Sequence, residues 1–276
     1  MVDHKSNPSR EDVTKINALY HDSIAESYDV RMVFAHPKVK ELYSKIFSEY
    51  ILPRVSNGDQ FSALDIGCGS GYLEQFFSEK INNVLGIDVS EKMLELAKSK
   101  FPSFNFKNAD VYEYLKENNQ LFDLVISNSF YHHLKDYQAV LEQVARSVKP
   151  GGALYMGLEP NYYSYRFLAP FKFIFRKFFH EKLVENVAEK LSGSEYEEIA
   201  EYHLFYGNGI NIRWLKKNLR KQGFSSFKLI FTARHLIAAL SESTGTNFFR
   251  FVPDFFLDHA GILSRDFHLI AYKDNV

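Results

Sequence analysis

A chain of 276 residues with 33 basic and 34 acidic side chains is almost neutral, which argues against a general nucleic-acid binder, since such proteins carry a basic excess. Its single cysteine, Cys68, excludes an intramolecular disulfide framework and any cysteine-cluster metal site. Hydrophobic residues make up 46% of the chain, enough for one sizeable core, and 26 phenylalanines against one tryptophan mark a demand for large rings.

Residues 1–12 are polar and read as a solvated tail. They hold no apolar segment of signal-peptide type, and no uncharged apolar run approaches the ~18 residues of a membrane span. The expected location is therefore cytoplasmic. Helical spacing runs through Ile16, Leu19, Tyr20, Ile24 and Tyr28, then through Val39, Leu42, Ile46 and Phe47. Pro53 and the polar cluster Ser56, Asn57, Gly58 and Asp59 are expected to stop it. From residue 61, strands are expected at Ala63–Ile66, Val84–Asp88, Asn105–Asn108, Leu124–Ser127 and Ala153–Gly157. Helices are expected between them at Gly71–Glu79, Ser90–Lys100, Val111–Asn118 and Tyr137–Val148. This alternation predicts an α/β fold with a doubly wound, mostly parallel sheet. Residues 13–158 would form the core with its leading helices. Residues 159–212 read as a helical insertion, and 213–276 as a closing helix and strands interrupted by a second insertion at 233–264. Gly223 suits the end of a helix over Arg213–Gln222.

The run Asp65-Ile66-Gly67-Cys68-Gly69-Ser70-Gly71 ends the first strand. Its glycines allow a tight turn and close approach of backbone to a ligand, and a following helix start would favour an anion. Tyr72 stands where the nicotinamide fingerprint needs its third glycine, which disfavours a dehydrogenase.

In order and spacing, that loop, Gly86-Ile87-Asp88, Asn108-Ala109-Asp110-Val111, Phe122 to Asn128, Tyr131-His132-His133-Leu134 and Arg146 to Gly152 resemble a class I S-adenosylmethionine-dependent methyltransferase. Ile24-Ala25-Glu26-Ser27-Tyr28-Asp29 is similar to the A-x-x-Y-D entry helix of one subgroup. The resemblance implies a Rossmann-like fold whose last strand is antiparallel. It also implies S-adenosylmethionine as cofactor, with Tyr28, Asp65, Gly67, Cys68, Gly69, Gly71, Asp88, Val89, Asp110, Val111 and Asn128 around it. A strand-end carboxylate such as Asp88 can accept both ribose hydroxyls. Asp110 and the Val111 N–H complement the adenine edge. Both acids could instead be helix N-caps, Tyr28 core packing, and Asn128 a turn residue. Cys68 reads as a small buried residue rather than a nucleophile.

Methyl transfer from a sulfonium is mainly a matter of positioning. A base is needed only for an acceptor of high pKa, and His132 or His133 would then be the candidates. They could equally be structural. No His/Asp cluster shows ligand spacing in sequence, so no metal is expected.

Phenylalanines number 10 in residues 1–158 and 16 in residues 159–276. Phe167, Phe171, Ile174, Phe175 and Phe178 share one helical face, among the basic residues Arg166, Lys172, Arg176, Lys177 and Lys182. The stretch 164–182 reads as a lid over the acceptor, a peripheral membrane contact or a subunit interface. With Phe248–Phe256, it suggests a small or lipid-like apolar acceptor, O-methylation being favoured. A cofactor-binding sensor or interaction protein without transfer activity is the alternative from another class. Nothing in the sequence sets the oligomeric state, and no nucleic acid is expected as partner.

Overall fold

The structure is a computed structural model that describes residues 8–31, 37–55, 61–81, 83–168, 199–205, 209–232, 264 and 266–275. Seven strands, β1 (Ser62–Ile66), β2 (Asn83–Asp88), β3 (Asn105–Asn108), β4 (Phe122–Asn128), β5 (Val148–Pro160), β6 (Phe224–Phe231) and β7 (Asp266–Lys273), form one sheet. Their spatial order is β3-β2-β1-β4-β5-β7-β6. Strands β1 to β5 pair in parallel, and β7 runs antiparallel between β5 and β6.

Alternate side chains feed two apolar layers, as a pleated strand requires. Leu64 and Ile66 of β1 point to one face, where Val111 and Leu115, Val140 and Val144, and Leu215 and Leu219 bring three helices against the sheet. Ala63 points to the other, covered by Val39, Leu42, Tyr43, Ile46 and Phe47. Being covered on both faces, β1 is buried throughout.

Several elements depart from expectation. Helix α1 spans Arg10–Arg31 and so begins inside the supposed tail. Ser9 and Asp12 explain this: Asp12 N–H donates to Ser9 Oγ and Ser9 N–H to Asp12 Oδ2, a reciprocal cap. Leu19, expected on the apolar face of α1, is 53% exposed. Helix α2 (Pro37–Lys45) continues through a π turn, Ile46–Ile51, into α3 (Leu52–Val55), so Pro53 does not end it. A proline near the start of a new helical register lacks only a donor that has no helical partner there.

The expected helix Gly71–Glu79 is instead a series of tight turns with a 3-10 turn at Glu74–Phe76. Gly71 has φ +79°, outside the helical region, and Gly71, Phe76 and Phe77 N–H bond carbonyls three residues back. Helices α4 (Glu91–Lys100), α5 (Val111–Glu117) and α6 (Tyr137–Ser147) lie close to their expected bounds, as does the helix Ile212–Lys221. Strand β5 extends to Pro160 and a helix follows at Tyr162–Leu168. The rest of the basic aromatic stretch from 169 and the Phe248–Phe256 cluster lie outside the described residues.

Candidate functional site

The sheet order reverses between β1 and β4, and in open α/β sheets ligands occupy the crevice at that point. A cleft of about 740 Å³ opens there. Its floor is Gly67, Gly69 and the ends of β2 and β3; one wall is Asn128, Ser129 and Phe130. The roof is a face of α1, where Val13, Asn17 and His21 recur every fourth residue and Tyr28 follows. Side-chain bonds clamp this roof to the sheet. Asp22 Oδ1 accepts from Ser90 Oγ at 2.6 Å and Lys92 N–H at 3.1 Å. Thr14 Oγ1 donates to Asp110 Oδ2 at 2.9 Å, and Asn17 Nδ2 to the His133 carbonyl at 3.2 Å.

The glycine loop is shaped by its neighbours. Gly67 has φ +67°, and a Cβ there would lie 2.2 Å from the Phe130 ring. Its amides are committed within the protein. Gly67 and Cys68 N–H donate to the Ile87 carbonyl, Gly71 N–H to that of Cys68, and Gly69 N–H to Asp88 Oδ2. The helix dipole expected after this loop is therefore missing, because a helix does not start there. Gly71 supports the turn rather than lining the cleft.

Asp88 accepts Gly69 N–H on one oxygen at 2.9 Å and Ser90 N–H on the other at 2.8 Å. An ionised carboxylate has about four lone-pair sites, so about two stay open toward the cleft. Ser90, not Asp88, caps α4. Asp110 does cap α5: Oδ1 takes Tyr112 and Glu113 N–H. With Thr14 on Oδ2, about one acceptor site remains. Val89 and Val111 line the cleft beside them. A smaller hollow under the loop is lined by Asp65, Cys68, Tyr28 and Asn128. Tyr43 Oη donates to Asn128 Oδ1 at 2.6 Å, which fixes that amide.

Asp65 has a partner that the sequence did not reveal. Its side chain and that of Glu74 are both buried, and Asp65 Oδ1 and both Glu74 oxygens lack a donor among the described residues. Burial, then the facing Glu74 carboxyl, pushes the Asp65 pKa up. Burial likewise raises Glu74 to about 7. Two carboxyls so placed cannot both ionise at low cost, and they hold a proton between them.

The turn after β4 has the opposite chemistry. Glu159, fully buried, accepts Phe130 and Tyr131 N–H on Oε1 and His132 N–H on Oε2. His132 Nδ1 lies 2.9 Å from Glu159 Oε2 and Nε2 lies 3.2 Å from Glu201 Oε2. Burial opposes a charge on His132, but the two carboxylates outweigh it and lift its pKa to about 10. With a carboxylate at each ring nitrogen, His132 is less well placed as a general base than His133. His133 differs. Its Nδ1 lies 2.7 Å from the Ala200 carbonyl, and its ring lines the cleft. Burial, then the charged His132, depresses it to about 3. His132, His133 and Glu201 also bring one ligating atom each within 4.8 Å of one another. Sequence spacing concealed this, because Glu201 is 68 residues beyond His133.

Residues 63–152 match the family described as methyltransferase domain. A malonyl-[acyl-carrier protein] O-methyltransferase from Hamiltonella defensa is 38% identical over 91 residues, covering 33% of this chain and 35% of that protein. The chain spans less than half the length of the curated relatives it matches. Among solved structures, a SAM-dependent methyltransferase from Archaeoglobus fulgidus superposes with a TM-score of 0.52 at 19% identity, over 89% of this chain and 98% of that one. A phosphoethanolamine N-methyltransferase from Haemonchus contortus, bound to phosphomonomethylethanolamine and S-adenosylhomocysteine, gives 0.59 at 17% identity, over 98% and 61%. The segment carrying the glycine loop, Asp88 and Asp110 thus matches a methyltransferase-domain family, and the chain shares its fold with the superposed enzymes.

Proposed function

We propose that the protein transfers a methyl group from S-adenosylmethionine to a small or lipid-like apolar acceptor, with oxygen as the favoured acceptor atom. The observation that carries this reading is the cleft itself, at the switch point of the sheet and flanked by Asp88 and Asp110 with acceptor sites to spare. When bound, the cofactor supplies a methyl activated by its sulfonium. Asp88 accepts the ribose hydroxyls on its open lone pairs. Asp110 takes the exocyclic amine, and Val89, Val111 and Leu134 pack on the flat base. Asp65, backed by Glu74, lines the hollow where a cofactor ammonium would be neutralised. With the cofactor bound, in-line displacement would send the sulfur–carbon electron pair to sulfur and the acceptor's proton to solvent, and the chain's part is alignment.

The name of the Hamiltonella relative supports oxygen as acceptor. The concentration of phenylalanine beyond residue 158 supports an apolar one. Among the described residues no helix is long and apolar enough to cross a membrane. The stretch 164–182 is proposed as a lid over the acceptor, and membrane contact through it is tested by sedimentation with anionic vesicles. The activity test incubates the protein with methyl-labelled cofactor and a lipid-rich cell extract. Label recovered in an apolar, base-stable product supports the reading. Cofactor binding without any transferred label favours a sensor.

A further inference from the structure

The turn after β4 holds an arrangement that cofactor binding and methyl transfer do not use. Two histidines and one carboxylate, from segments far apart in sequence, converge: His132, His133 and Glu201 have ligating atoms within 4.8 Å of one another. His132 Nε2 and Glu201 Oε2 are 3.2 Å apart, close to the ~3.3 Å that separates two ligands of a tetrahedral ion with bonds of about 2.0–2.1 Å. The far nitrogen of each ring is fixed. His132 Nδ1 meets the Glu159 carboxylate and His133 Nδ1 meets the Ala200 carbonyl. Metal-binding histidines are characteristically oriented this way, the second nitrogen held by a carboxylate or backbone carbonyl so that the first points at the ion. Glu159 is itself locked by three backbone N–H groups, so this support is rigid.

Charge favours a cation as well. Two carboxylates, Glu159 and Glu201, flank one histidine, and their side chains are 0% and 20% exposed.

We propose that His132, His133 and Glu201 form a binding site for a divalent cation of the zinc type, with Glu159 and the Ala200 carbonyl as its supporting shell. The donor set of two imidazoles and one carboxylate suits such borderline ions rather than calcium or magnesium. Three protein ligands leave a position open, and of the three His133 borders the cleft. The ion ties the segment Ile199–Phe205, which packs on α1 through Ile199 and Ala200, to the rim of the cleft.

The test uses the full chain, stripped with chelator and titrated with Co2+ alone. The expected result is visible ligand-field absorption saturating at one ion per chain and abolished by an equivalent of Zn2+. Glu201→Gln, with folding checked by near-UV circular dichroism, is expected to weaken binding at least 10-fold, while the surface variant Glu142→Gln leaves it unchanged. No saturable absorption, or equal affinity in Glu201→Gln, overturns the site. If Glu201→Gln fails to fold, the wild-type histidine ring resonances decide. Selective broadening of His132 and His133 by Co2+ supports the site, and broadening of other histidines instead overturns it. The readout is independent of methyl transfer, so it stands whether or not S-adenosylmethionine binds.

Discussion

Two buried acidic clusters, one reaching the hollow under the glycine loop through Asp65 and one holding the turn after β4, solve the burial of carboxyls in opposite ways. Asp65 and Glu74 face each other, and burial raises both, with the Glu74 carboxyl pushing Asp65 up further. Glu159 and Glu201 enclose His132 between them. There burial opposes the Glu201 charge too, yet the histidines outweigh it and hold that carboxyl down at about 2. The first cluster keeps a proton at neutral pH and is ready for a cation; the second already has one. The comparison shows that residue type alone does not set protonation. What faces the carboxyl, and whether water reaches it, does.

The largest effect should come from breaking the second cluster. Glu159→Ala leaves three backbone donors and His132 Nδ1 without their carboxylate in the interior, and loss of one partner of a buried pair costs about 3–5 kcal/mol. The urea unfolding midpoint should drop accordingly; a loss below about 1 kcal/mol would mean that water replaces the carboxylate. Gly67→Ala comes next. It sets a Cβ against the Phe130 ring at a positive φ, which should cost on the order of 2 kcal/mol, visible as a lower melting temperature.

Glu74→Gln sharpens the contrast through pH. The folded-state pKa of Glu74 is raised from 4.5 to about 7, so its stabilising contribution is complete below about pH 4.5 and is lost as pH climbs toward 7. Urea midpoints of the wild type, relative to Glu74→Gln, should therefore fall across that window. A constant difference between the two would contradict a shared proton. The smallest effect belongs to Glu142→Gln. It removes an ion pair with Arg146 whose side chains are 55% and 67% exposed, and melting should register less than about 0.5 kcal/mol.

Much of this was written in the order of strands and helices. Short apolar runs marked β1, β2, β4 and β5, because a sheet covered on both faces needs apolar strands, β3 followed from its place in the alternation, and Gly223 marked a helix end where φ is +86°. Asp88 and Asp110 were legible because local sequence places them at strand ends. Glu74, Glu159 and Glu201 were not. Each acts on a partner that only the fold brings near, and a glutamate within a turn or strand looks solvated until its burial is known. The turn at 71–79 was misread for a related reason. Helical spacing of Leu73, Phe76 and Phe77 is present, but a left-handed Gly71 blocks the helix at its start. The roof was half legible: Tyr28 was picked out, while Val13, Asn17 and His21 escaped because a polar face over a ligand carries no hydrophobic signal.

The most direct measurement is isothermal titration of the folded chain with S-adenosylmethionine, alongside Asp88→Ala. Saturable binding at one cofactor per chain is predicted. Removing the Asp88 carboxylate should weaken it about 10- to 100-fold, as expected for hydrogen bonds to a charged group worth about 1.5–3 kcal/mol. Absence of binding to well-folded wild-type protein, or equal affinity in Asp88→Ala, would contradict the assignment of the cleft.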